Sequence, residues 1–104
     1  MTLEEFKNSL SQETPPPQIS KVLQALWQDA NGQWDIAHRL AQSVNDTTGA
    51  WVHAYLHRKE GDLYNASYWY SHANQTMPTI SLEQEWEEIS KALLFVYNEM
   101  ILTV

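Results

Sequence analysis

The apolar positions of the chain recur at the spacing of one-sided helices, and in its middle part the pattern repeats itself. Ile19, Val22, Leu23 and Leu26 form one stripe and Trp34, Ala37, Leu40, Ala41 and Val44 a second, at intervals of three and four residues. Asn31 and Gly32 interrupt the two. Gly32 followed by Ala37 returns as Gly61 followed by Ala66, with Trp27 answered by Leu56, Trp34 by Leu63, Ala41 by Tyr70 and Val44 by Ala73, each pair 29 positions apart. A repeat of helix, glycine turn and helix at about this length marks an array of helical hairpins, in which each unit buries its apolar face against the next. The expected fold class is all-α.

The same pattern divides a single domain, 1–104, into three parts. Thr2 and Glu5 make a capping box for an accessory amino-terminal helix within 1–14, with Leu3, Phe6 and Leu10 on one edge. Pro15, Pro16 and Pro17 form a stiff spacer. Two hairpins then fill 17–78. The first has a helix from Pro17 to about Ala30 and a return helix from about Gln33 to Asn45. The second has a helix from about Gly49 to Glu60, with Thr47 or Thr48 as its cap, and a partner from Asp62, its cap, to about Asn74. Ser81 and Gln84 form a further capping box that opens a long capping helix, 81–102. Leu82, Trp86, Ile89, Leu93, Val96 and Met100 make its inward stripe, but Leu94, Phe95, Ile101 and Leu102 lie off that stripe. This second apolar face needs a cover, either the amino-terminal helix folding back or a second copy in a homodimer.

Residues 54–78 resemble a tetratricopeptide unit: Ala54 stands where the motif's first helix takes a small residue, Gly61 at the turn, Ala66, Tyr70 and Ala73 at the inward positions of the second helix, and Pro78 at the end. Gly32, Ala37, Ala41 and Val44 extend a partial match over 17–45. The string from Ala50 to Tyr70 is also similar to short bacterial tetratricopeptide-like proteins, from which no activity carries over. The resemblance implies stacked antiparallel hairpins and a non-catalytic protein- or peptide-interaction module. It also implies a groove in which Trp51, Tyr55, Arg58 and Lys59 line the inner side of one helix. Two cations and flat aromatic rings there suit a partner with an acidic or carboxylate end.

Composition narrows the functional classes. The formal net charge of −7 argues against nucleic acid, whose phosphates attract basic surfaces. No apolar run reaches the length of a membrane span, and the acidic amino terminus lacks the basic start and apolar run of an export signal. With no cysteine there is no thiolate nucleophile or disulfide, which fits a cytoplasmic protein. No serine elbow, phosphate loop or dinucleotide fingerprint occurs, so no catalytic residue is assigned and no cofactor is expected outright.

The acids cluster at the ends. Residues 37–73 balance Asp46, Glu60 and Asp62 against Arg39, Arg58 and Lys59, and hold all four histidines. His53 and His57 stand four apart on one helix, Glu60 follows three later, and His38 on the preceding helix can approach if the hairpins stack. Imidazoles with a carboxylate suit zinc or another divalent metal, or a polar small-ligand pocket with enzymatic potential. The alternative is that the imidazoles are neutral and buried, hydrogen-bonded between helices. Of the consecutive Tyr68, Trp69 and Tyr70, Tyr70 is expected in the core, one neighbour on the terminal helix and the other near the surface.

Overall fold

Backbone groups at helix ends need partners, and the chain supplies them where its polar residues interrupt the apolar stripes. The computed structural model describes residues 1–102, in which six α-helices and one short 3-10 turn account for all regular structure. They are α1 (Leu3–Asn8), α2 (Lys21–Ala30), α3 (Trp34–Gln42), α4 (Thr47–Glu60), α5 (Leu63–His72) and α6 (Leu82–Leu102), with the 3-10 turn at Ser9–Ser11. Among the described residues there is no strand. The capping boxes of Thr2 with Glu5 and of Ser81 with Gln84 both form, each side chain bonding the other residue's backbone N–H.

Several boundaries differ from expectation: α3 and α5 end at Gln42 and His72, short of Asn45 and Asn74, and two helix starts shift. α2 begins at Lys21, not near Pro17, because Gln18 takes a left-handed φ of 68° and Ser20 supplies the capping oxygen, accepting from the Leu23 N–H at 3.2 Å. α4 begins at Thr47, ahead of Gly49. Its cap is Asp46, whose Oδ1 accepts from the N–H groups of both Thr48 and Gly49 at 3.0 Å. Threonine hydroxyls do not serve there, because the carboxylate before them reaches both orphan donors.

Both hairpin turns use the same device. Gly32 and Gly61 have φ of 79° and 89°, and the following residue's N–H closes a wide turn onto the helix behind it, Gln33 onto Gln28 and Asp62 onto His57 at 2.9 Å each. α2 therefore packs on α3 and α4 on α5, while α3 lies against α4. Most positions 29 residues apart occupy like environments: Trp27 and Leu56 are buried, as are Ala37 and Ala66, and Ala41 and Tyr70. Trp34 and Leu63 break the likeness, the first half-buried and the second 55% exposed, as do Val44, half-buried, and Ala73, buried. Leu63 has no following hairpin to lie against.

α6 crosses α2 and α4. Trp86, Ile89, Leu93 and Leu94 enter the core beside Leu23, Leu26, Val52 and Leu56, and the Trp86 indole N–H donates to the Leu26 carbonyl at 2.9 Å. α1 folds back onto α6. Phe6, fully buried, stacks on Trp86 with centroids 5.7 Å apart, and the Met1 amino group donates to Asn98 Oδ1 at 2.9 Å. The last turns of α6 run past this cover, leaving Phe95, Val96, Met100, Ile101 and Leu102 exposed. No helix among the described residues is long and apolar enough to cross a membrane.

Candidate functional site

The residues expected to line a peptide groove are engaged with other parts of the fold, Lys59 alone of the four staying exposed. Trp51 is half-buried and packs against both apolar clusters, and Tyr55 is buried between α2 and α6. Burial, reinforced by the charge of Asp29, pushes the Tyr55 hydroxyl's pKa up, so it stays protonated. Arg58 donates to the buried carboxylate of Glu85 at 2.8 Å and to the Ile80 carbonyl. Tyr70 gives Glu85 a second donor at 2.6 Å, while Lys59 pairs with the buried Asp29 at 3.0 Å. The carboxylates that a peptide end was expected to bring are supplied by α2 and α6 of the same chain. Sequence spacing could not show this, since Glu85 reads as one of several solvated acids at a helix start.

The histidines, in contrast, converge. α3 carries His38, and α4 presents His53 and His57 one turn apart across the α3–α4 contact. One ring nitrogen from each lies within 4.8 Å of those of the other two. His38 Nε2 and His53 Nε2 share a hydrogen bond of 2.9 Å, and His57 Nδ1 bonds Glu60 Oε2 at 3.0 Å. His53 is buried, and His38 and His57 are half-buried.

Two tryptophans unforeseen in this role hold the rings. Trp34 stacks on His38 with centroids 4.9 Å apart and planes 10° from parallel, and its indole N–H is anchored on the Leu56 carbonyl at 2.9 Å. Trp69 stacks on His53 with centroids 4.1 Å apart. The first was open to discovery from spacing, because Trp34 precedes His38 by one helical turn. The second was not, since it depends on how α5 lies on α4. Of Tyr68, Trp69 and Tyr70, Tyr70 is in the core and Tyr68 exposed as expected, but Trp69 covers His53, and it is Tyr70 that ties to α6.

Burial disfavours charge on two of the three rings. Burial, then the neighbouring His38 and His57, push the His53 imidazole down to about 4. His38 is lowered as well, by burial first and by His57 next, against a smaller opposing pull from Glu60. The neutral imidazole is the form that ligates a metal, once the hydrogen shared by His38 and His53 has moved off Nε2. A cavity of about 340 Å³ opens beside His53 alone of the three, lined also by Ala41, Asp46, Gly49, Trp69 and His72 among others. Comparison with protein-family models, curated proteins and solved structures finds no match. The site is therefore read from its own chemistry. Glu60 and Asp62 also come near His57, but Asp62 is occupied as the cap of α5, bonding the Asn65 N–H and amide at 3.2 and 2.7 Å.

Proposed function

We propose that the protein binds a divalent metal ion of the zinc class through His38, His53 and His57. The observation that carries the reading is the approach of three imidazole nitrogens, from two helices, to within 4.8 Å of one another. Zinc takes imidazole nitrogen at about 2.0–2.1 Å in tetrahedral geometry, which sets neighbouring ligand nitrogens about 3.3 Å apart. The 2.9 Å between His38 and His53 needs only a few tenths of an ångström of opening. The Glu60 bond at Nδ1 orients the His57 ring, and the stacked tryptophans fix the other two. Calorimetric titration of chelator-treated, tag-free protein with zinc tests the reading. One equivalent should bind, with the affinity reduced at least tenfold in His53→Ala and in His38→Ala. Absence of binding to folded protein would falsify it.

A second reading, the tetratricopeptide-like interaction module with α6 as its capping helix, rests on a different observation. Its support is the like burial of most positions 29 apart and the exposed Leu63, Tyr64 and Tyr68 on the outer side of α5. A protein partner docks there in this reading, because Arg58 and Lys59 are already paired within the chain. Tyr64→Glu with Tyr68→Glu should abolish capture of that partner while helicity is kept, and undiminished capture would reject this face.

A further inference from the structure

A zinc ion in a structural role has all four positions filled by side chains, whereas a site with three protein ligands keeps one for water or substrate. The cluster supplies three. Among the described residues no fourth histidine, aspartate or glutamate joins His38, His53 and His57 within ligand distance, and the chain has no cysteine. The nearest carboxylate, Glu60, is turned to Nδ1 of His57, where it orients the ring and raises its basicity. Asp62 is held at the start of α5 by Asn65. His72 stands apart from the three, its ring against Tyr68 and Trp69 at centroid distances of 4.5 and 5.4 Å.

Charge points the same way. Three neutral imidazoles leave the full double charge of the ion uncompensated, and the paired Glu60 lies one ring away. An anionic donor at the remaining position would lower that charge directly. Space adjoins one of the three ligands: the cavity of about 340 Å³ is lined by His53, though by neither His38 nor His57, and is many times the roughly 30 Å³ that one water occupies in the liquid.

Resting on the metal reading above, we infer that the bound ion is open, with its fourth position held by an exchangeable water that a small monodentate anion displaces. The exogenous ligand class is therefore a hydroxide-like or pseudohalide donor, and Glu60 is a positioning residue for His57. The chemistry available to such a site is that of a metal-bound water with a lowered pKa.

Cobalt(II) replaces zinc at such sites and reports its coordination by visible absorption, so the probe is chelator-treated protein loaded with one equivalent of cobalt. Addition of azide or thiocyanate should shift the visible bands saturably. Glu60→Gln should weaken metal binding by about 10- to 100-fold yet keep the anion response once the site is loaded. Stoichiometric cobalt whose spectrum ignores both anions means a closed site and overturns the inference while leaving the metal reading intact. Failure of folded protein to bind either cobalt or zinc overturns both.

Discussion

Replacing Arg58 by methionine separates a structural arginine from one that awaits a partner. Glu85 is 2% exposed, and its carboxylate has two donors, Arg58 at 2.8 Å and Tyr70 at 2.6 Å. Arg58→Met removes the only cation of that set and leaves a buried charge beside one neutral hydroxyl. Breaking a buried pair in this way costs about 3–5 kcal/mol. The arginine side chain is itself 15% exposed, so water reaches part of the gap and the lower end of that range, about 3 kcal/mol, is expected. In a domain of this size that lowers the melting temperature by about 12 °C or more. Arg58→Met with Glu85→Gln should recover most of the loss, since the amide oxygen still accepts from Tyr70 and no charge remains. Urea denaturation followed by circular dichroism, over all four members of the cycle, measures the coupling, expected to be at least about 2 kcal/mol. A loss below about 1 kcal/mol at unchanged m-value would show that the guanidinium does not neutralise Glu85, and would return Arg58 to the role of a free groove residue.

Three further outcomes follow from other parts of the fold. In metal-free protein His53, pushed down to about 4 from an ordinary value of 6.5, is neutral when folded, so the unfolded chain binds the extra proton and stability present above pH 6.5 is lost as pH falls toward 4. Screening from the adjoining cavity limits the loss between pH 7 and 5 to about 1–2 kcal/mol, and His53→Gln should flatten the slope there; a slope identical to that of the parent refutes the assignment. A Cβ on Gly49 would lie 2.0 Å from the Val44 carbonyl oxygen, so Gly49→Ala should destabilise at or above the upper end of the ~1–3 kcal/mol typical of overpacking, and a neutral result in denaturant titration would contradict this close approach. The exposed Phe95 and Ile101 on α6 are the proposed face of a homodimer: light scattering should give twice the chain mass at high concentration and the single mass for Phe95→Glu with Ile101→Glu, whereas a concentration-independent monomer excludes it.

The helical elements were legible because their signals are local. Apolar residues at three- and four-residue intervals, capping boxes at Thr2 and Ser81, and glycines at 32 and 61 act within one or two turns, where spacing along the chain equals spacing in the structure. The convergence of His38 with His53 and His57 was foreseeable once the hairpins were assumed to stack, since two of the rings share a helix face. The ends of α2 and α4 were less readable. There the choice among neighbouring caps turned on which side chain first reached the free N–H groups, a matter of φ and ψ at Gln18 and Asp46 rather than of residue type.

What the amino-acid order determined alone is an all-helical chain with two hairpins of like pattern and a long final helix. Only the tertiary structure decided what Tyr55, Arg58 and Lys59 do, because α6 brings Glu85 to Arg58 from 27 residues away and the packing of α4 on α2 brings Lys59 to Asp29 across 30. It likewise decided that Trp69 closes over His53 from α5. A charge or ring in sequence has a type but no neighbours. Its pairing and burial depend on distant segments, and these two quantities govern whether it is spent on the fold or left for a ligand.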